Sequence, residues 1–443
     1  MVALALLMSA LDGTIVATAL DTIQRDLSTS VLWAGWTLTA YALGLLLMLP
    51  ISGWLSERFG KRRIFLASAG AFTAASLLCG FAGNIYVLIG LRFVQALGGA
   101  GFMPSATGII VDHFGPGRDK ALGLFASIFS IGAMIGPIFG GLFVTYWTWR
   151  GIFFVNVPIG VLLVGLGLHL IPADAPFART TRAPLDWIGM LLLGAGILSA
   201  MLALNVFSEG APLSHLPQAI SLGAIGVLCL SGFGIRTAHV THPFIPGRLI
   251  AGPGFWASNA VNVVYGGTTI GLVALVPLYA AARYRIPALE SGTLLTAQGA
   301  AVALMSVVGT AVLRRTGYRL PIFVGETVVV LGLVGLALHP RGVSPYVWLA
   351  CATAAMGLGQ GFQSPAGRNA GLQLAPDSAP TIAALRTMGY QLGTIVAISV
   401  TTAVVAGAAD PGVAHAHAYL AWAALLVLMM PIIAKVPEHR GAW

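Results

Sequence analysis

Charge is what this 443-residue chain has least of: Asp, Glu, Lys and Arg together make 8% of it, against roughly 25% in ordinary globular domains. A chain so poor in charge cannot cover its own surface in water, and with 57% hydrophobic residues and a mean hydropathy of +0.89 it belongs in a bilayer. Cysteine is scarce too. Cys79, Cys229 and Cys351 are the only three, each inside an apolar run, so neither a disulfide framework nor metal-ligand spacing is indicated. The Gly-rich stretches follow no strand and carry no Gly-Lys-Ser/Thr signature, so a nucleotide cofactor is not supported. A membrane enzyme would need a nucleophile, a metal set or paired carboxylates within the spans, and none is there. A sensor or scaffold would be expected to carry a soluble domain or long tail, whereas every loop is short.

What charge there is sorts into loops. Lys and Arg number 23 against 14 Asp and Glu, a formal net charge of +9, which in a soluble domain would suggest nucleic acid. Here the basic residues gather in Glu57 to Arg63, Arg118 to Lys120, Arg179 to Arg182, Arg236 to Arg248, Arg314 to Arg319 and the Lys435 to Arg440 tail, alternating with loops of little positive charge. That is the positive-inside pattern. It reports topology rather than a nucleic-acid partner, and it puts both termini on the cytoplasmic side. A window of about 20 apolar residues per crossing predicts about fourteen helices, starting near Met1, Val31, Ile64, Ile85, Ala121, Gly151, Trp187, Ala219, Phe255, Ala288, Pro321, Pro345, Pro380 and Val413. The first carries Asp12 in its middle and has no basic n-region or cleavage site, which argues against a signal peptide. Its lack of a basic flank leads us to expect a natural start upstream of Met1.

An internal repeat divides the chain. Arg58-Phe59-Gly60-Lys61-Arg62 is echoed by Arg315-Thr316-Gly317-Tyr318-Arg319, and Gly101-Phe102 by Gly361-Phe362 at nearly the same offset, which exceeds six helices. The surplus lies between about Pro172 and Pro253. The expected architecture is therefore all-α and integral to the membrane: a six-helix bundle over 1–171, two inserted helices and a linker over 172–253, a second six-helix bundle over 254–436 and a cytoplasmic tail over 437–443.

The most informative stretch is Ile131 to Gly141, where Gly132, Gly136 and Gly140 recur every four residues and Pro137 and Gly141 are added. In water such a helix is weak. In a bilayer the glycine stripe lets a neighbour approach to backbone distance, and Pro137 frees the carbonyl of Ala133 and sets a bend. The segment resembles the antiporter motif of the major facilitator superfamily, G-x-x-x-G-P-x-x-G-G. Four further segments are similar to motifs of that superfamily's fourteen-helix drug:proton antiporter family: Leu11-Asp12-Gly13-Thr14-Ile15-Val16; the loop from Gly53 to Arg63; Arg92 to Gly99; and Trp147 to Gly160, which includes Asn156-Val157-Pro158. Departures are Glu57 for the usual loop aspartate, Ala96 for the glycine after Gln95, and Gly151 for a tryptophan. The second half matches more loosely.

Depth singles out the candidate site. Asp12 lies about 12 residues into its helix, roughly 18 Å at 1.5 Å per residue, and Arg92 reaches a similar depth from the other side. Burying a lone charge there costs at least ~2.5 to 3.5 kcal/mol, so the two are proton-coupling candidates; a fixed structural pair is the alternative. Gln95, one turn after Arg92, either lines substrate or bonds a neighbouring helix. Glu326 is a further buried acid, either a second proton site or a snorkelling partner for Arg314 or Arg315, the latter favoured. Asn259 and Asn262, three apart on one face, either line the substrate cavity or bond another helix. Arg368 and Arg386 fall near cytoplasmic ends as anchors, and His415 and His417 in an outer loop. By resemblance, the loop residues Gly53, Glu57, Arg58, Gly60, Lys61 and Arg62 with Asp112 form a conformational latch, and Gly132, Gly136, Pro137, Gly140 and Gly141 the antiporter motif. The resemblance implies a proton-coupled antiporter exporting amphipathic drug-like compounds across the cytoplasmic membrane, working as a monomer with no cofactor or metal; a lipid or endogenous-metabolite transporter of the same fold is the alternative.

Overall fold

The computed structural model describes the backbone of residues 2–102, 104–106, 109–110, 118–172, 186–208, 216–241, 243, 245, 247–340, 342–370 and 379–438; the side chains of 2–3, 57, 118–130, 205, 207–208, 314, 379–381 and 383–384 lie outside the description. Asp112 and the carboxylate of Glu57 thus fall outside it. The described residues are helical throughout, without strands. This follows from the solvent: in hydrocarbon each backbone N–H and C=O must be paired within its own segment.

The first compact unit takes in residues 1–180, 274–281 and 285–299. It contains α1 (Val2–Ile15), a 3-10 turn (Val16–Ala19), α2 (Leu20–Asp26), α3 (Val31–Phe59), α4 (Lys61–Gly80), α5 (Ile85–Gly99), α6 (Arg118–Tyr146), α7 (Gly151–Phe154) and α8 (Asn156–Leu170). Local chemistry sets several starts. Ser30 caps α3 by accepting from the Trp33 amide at 3.4 Å, and Asn84 caps α5 by accepting from the Val87 amide at 2.9 Å, each satisfying an otherwise orphaned donor. Gly60 joins α3 to α4 at φ 101°, ψ 141°, a conformation essentially closed to residues with a Cβ.

The second unit takes in 181–273, 282–284 and 300–443. Its helices are α9 (Trp187–Ser208), α10 (Leu216–His239), α11 (Gly247–Ala251), α12 (Phe255–Gly266), a π segment (Gly267–Leu272), α13 (Val276–Tyr284, begun in the first unit), α14 (Ala288–Thr316, shared with the first unit), α15 (Arg319–Ala337), α16 (Pro345–Asn369), α17 (Ala379–Ala406) and α18 (Pro411–Ile433). The helices α9 and α10 are tied by Asp186, which caps α9 at the Gly189 amide (2.9 Å) and pairs with Arg236 of α10 at 2.6 Å. Gly317, between α14 and α15, has φ 74°, so the sequence echo of Gly60 is also a backbone echo.

Among the described residues eleven helical segments, of which Leu4–Asp26 and Gly151–Leu170 each join consecutive elements, are long and apolar enough to cross a membrane, or twelve if the pair Phe255–Leu272 and Val276–Tyr284, bent by 44°, counts as one span. Fourteen crossings remain an expectation. In α6 only Ile131–Tyr146 qualifies as an apolar helix, since the preceding side chains are undescribed, and in α16 the run of Gln360, Gln363, Ser364, Arg368 and Asn369 lowers the hydropathy. Leucines such as Leu191, Leu228 and Leu428 are more than two-thirds exposed, as suits a surface solvated by lipid.

His415 and His417 require a correction: they are not in a loop. Asp410 caps α18 by accepting from the Val413 amide at 3.0 Å, Pro411 takes the first turn, and His415 is fully buried with Nδ1 3.1 Å from the Pro411 carbonyl. His417 faces outward on the same helix.

Candidate functional site

Asp12, Arg92, Gln95 and Asn156 are each fully buried, and α1, α5 and α8 bring them together within the first unit. Arg92 Nη1 donates to Asp12 Oδ2 at 2.7 Å and to Gln95 Oε1 at 2.6 Å; its Nε reaches the Thr37 carbonyl of α3 at 3.3 Å. Asp12 Oδ1 accepts from Gln95 Nε2 at 2.8 Å and from Asn156 Nδ2 at 3.0 Å. Ser76 of α4 accepts from Gln95 at 2.6 Å and from Asn156 at 3.4 Å. The carboxylate therefore has three donors around it, which suits the ionised form. The guanidinium lies over the Tyr41 ring at 4.1 Å, and Phe153 is 5.7 Å away, so aromatic faces supply part of what water would.

Among the described residues Arg92 Nη2 and Asn156 Oδ1 make no hydrogen bond. The cluster thus holds one donor and one acceptor in reserve at full burial. Chemically it can bind or release a proton at Asp12 if the pair separates, and can receive a polar or charged group of a ligand.

The antiporter-motif glycines explain why α1 can carry such a site. A Cβ at Gly132 would stand 2.8 Å from the Ala10 Cβ, one at Gly136 would strike Thr14 Oγ1 and lie 3.1 Å from the Leu11 carbonyl, and one at Gly140 would meet Thr18 and the Ile15 carbonyl at 2.5 Å. The stripe therefore seats α6 on the Asp12 helix at backbone distance. On its other side, Gly141 would approach Leu289 Cα at 2.7 Å, and the Pro137 carbonyl abuts Gly292, both at the start of α14 and inside the same unit.

The other predicted residues are dispersed. In the loop after α3, Arg58 lies over the Trp54 ring at 4.7 Å, and Arg62 Nη2 donates to the Leu168 carbonyl at 2.6 Å; Gly53 has open space around it. In the second unit Asn259 donates to the carbonyls of Leu249 (2.7 Å) and Ile250 (3.0 Å) on α11, while Asn262 is buried on α12. Arg386 Nη1 reaches the Arg368 carbonyl at 3.4 Å, and Arg368 is exposed. Glu326 is 4% exposed and forms no ion pair with Arg315, whose side chain points outward; Arg314 is undescribed.

Asn156, Ser76 and Tyr41 went unnoticed as site residues in the sequence. Asn156 had a signal, being the polar residue of the Asn-Val-Pro motif, but Ser76 and Tyr41 are ordinary in apolar helices. Asp26 was missed as well: it accepts from Trp149 Nε1 at 2.7 Å and Arg150 Nη1 at 2.8 Å, tying the end of α2 to the turn before α7.

The chain matches the model of the Major Facilitator Superfamily over residues 2–398. It is 30% identical over 395 residues to the multidrug resistance protein B homolog of Mycobacterium tuberculosis, covering 88% of this chain and 72% of that one. It is 31% identical over 341 residues to the tetracenomycin C resistance and export protein of Streptomyces glaucescens, covering 76% and 62%. With the methylenomycin A resistance protein of Streptomyces coelicolor it shares 29% over 447 residues, covering 98% and 91%. Several relatives are longer, so that the match takes in about two thirds of them, 66% for the multidrug transporter protein MdtP of Bacillus subtilis. Among solved structures, a POT peptide transporter superposes with a TM-score of 0.71 at 15% identity over 98% of this chain and 94% of that one. The xylose transporter XylE of E. coli gives 0.67 at 12% identity over 100% and 98%; at such identities the likeness speaks for the fold. Helices, motifs and a match running through most of the sequence agree: the chain belongs to the Major Facilitator Superfamily, and is a multi-pass membrane transporter of small molecules, not an enzyme.

Proposed function

We propose that this transporter exports amphipathic drug-like compounds across the cytoplasmic membrane, both termini inside, in exchange for protons. The relatives named for multidrug resistance and antibiotic export support the substrate class. The observation that carries the coupling is the fully buried Asp12–Arg92 pair at 2.7 Å on the helix against which the glycine stripe packs. Proton and substrate then share one charge. In this arrangement Asp12 is held by Arg92, Gln95 and Asn156. A shift of α1 against α5 that lengthens the contact with Arg92 removes the charge that favours the carboxylate, leaves desolvation dominant and lets Asp12 take a proton. A cationic substrate near Asp12 favours the ionised form and expels that proton, so the two ligands compete.

Substrate affinity measured from pH 5 to 9, with ethidium as probe, tests this in wild type and Asp12→Asn. The wild-type affinity weakens at low pH, and Asp12→Asn loses that dependence along with proton-driven uptake into inverted vesicles. An identical pH profile in both proteins assigns Asp12 to structure alone.

A further inference from the structure

A second buried acid stands in the other unit, outside the site just described. Glu326 is 4% exposed, and neither of its oxygens has a hydrogen-bond partner among the described residues. It borders a small open-sided apolar pocket of ≈ 20 Å³ formed with Val261 and Val264 of α12 and with Leu426, Met429 and Ile433 of α18. The side chain facing it is Gln363 of α16, whose amide oxygen and nitrogen are also without partners. Glycines bring the two together: a Cβ at Gly325 would stand 2.6 Å from the Gly359 carbonyl and 2.7 Å from the Gln363 Cβ. The residue next to Glu326 is therefore one that lets α15 and α16 meet at backbone distance.

An ionised carboxylate in these surroundings is costly, because burying a charge is tolerated only where it is paired and hydrogen-bonded. No charged side chain faces Glu326 among the described residues. The groups offered by α12 and α18 are apolar, and α16 offers the Gln363 amide. On its own helix Arg319, two turns earlier, pairs instead with Glu438 at 3.9 Å, while Lys435 after α18 and Arg368 at the end of α16 are exposed. Glutamine suits a group that changes protonation state, since its amide carries both a donor and an acceptor: its N–H can serve the carboxylate, and its carbonyl can accept from the acid O–H. At ≈ 20 Å³ the pocket has room for about one water beside the carboxyl and is far below the ~300 to 1,000 Å³ that houses drug-sized ligands, so it does not take an amphipathic cation.

We propose that Glu326, with Gln363 as its positioning partner, is a second proton-binding site, housed in the second unit and independent of the Asp12–Arg92 pair. Glu326 takes its proton from water, forming one O–H bond, and returns it as the carboxylate; nothing is oxidised or reduced. The transporter would then hold a proton-binding carboxyl in each unit.

Infrared spectroscopy of the full-length protein in lipid reads this without reference to transport. At pH 6, exposed carboxyls with ordinary values near 4 are about 99% ionised, so the carbonyl-stretch band of a protonated acid reports buried groups. The expected result is a band present in wild type and in Asp12→Asn, bleached as the pH is raised to 9, and lost in Glu326→Gln. Gln363→Leu should keep the band and move it to higher frequency, because the amide carbonyl proposed to accept the acid O–H is then gone; Glu326→Asp, should the glutamine variant fold poorly, should keep a shifted band. No protonated-acid band in wild type at pH 6, or one that survives Glu326→Gln, overturns the assignment. Because Asp12→Asn leaves the expected band in place, failure of the antiport reading and failure of this one are separately visible.

Discussion

Taking away Arg92 alone leaves Asp12 as an uncompensated carboxylate at complete burial, and breaking a buried pair by removing one partner costs about 3–5 kcal/mol. Arg92→Met should therefore lose about that much stability in denaturant titrations of the detergent-solubilised protein, and adding Asp12→Asn should recover a large part of it. A double variant no more stable than Arg92→Met would mean that the two side chains are not energetically coupled. The same residues show how far the sequence could be read. Asp12 and Arg92 stood out because a charge in an apolar span has to be paired or functional, and helix rise gave both a similar depth. Which partners completed the shell was not legible. Asn156, Ser76 and Tyr41 acquire their roles only when α3, α4 and α8 turn particular faces to Asp12, and an uncharged polar residue in a span carries no mark of the face it takes. Glu326 was legible as a buried acid, either a second proton site or a partner for Arg314 or Arg315; that it borders the α12–α18 pocket and lies near Gln363 was not, because the rotation of α15 is not written in its sequence.

The elements depend on close approach at a few glycines. Gly136→Leu should abolish transport while protein still reaches the membrane, because the added side chain occupies the space of Thr14 and the Leu11 carbonyl and pushes α6 off the helix that bears Asp12. Ethidium efflux at the wild-type rate in Gly136→Leu would reduce the stripe to composition. At the junction of α3 and α4 the demand is on the backbone: Gly60→Ala forces a Cβ into φ 101° and should cost about 1–3 kcal/mol, read as a lower denaturation midpoint with the same transport mechanism. An unchanged midpoint would show that the junction relaxes freely. Helix positions were largely visible in the sequence, since apolar runs of membrane length have few alternatives. The start of α18 was read near Val413, two residues late, although Asp410 followed by Pro411 is a cap-and-first-turn signal; the polar His415 and His417 were what suggested a loop there. The π segment Gly267–Leu272, where a Cβ at Gly271 would stand 2.8 Å from the Ala397 Cβ of α17, had no sequence signature beyond its glycines.

At the scale of the whole molecule, the sequence carried family and fold through five motifs concentrated in the first half and through a repeat that reappears as Gly60 and Gly317, both at positive φ. The number of crossings was less legible, because α16 mixes glutamines and an arginine with its apolar residues and falls between a span and a packed interior helix. Coupling is a property of the molecule as a whole: one pH unit supplies about 1.4 kcal/mol per proton, and 100 mV about 2.3 kcal/mol per charge moved. An exporter with no nucleotide motif has these gradients to draw on. The most direct measurement is uphill ethidium transport in proteoliposomes containing the purified protein, followed while the pH gradient and the membrane potential are imposed and then collapsed together by ionophores. Proton exchange requires accumulation against the ethidium gradient while either gradient stands, accompanied by proton movement in the opposite direction, and its complete loss on collapse of both. Accumulation that survives the collapse, or that proceeds without counter-movement of protons, contradicts it.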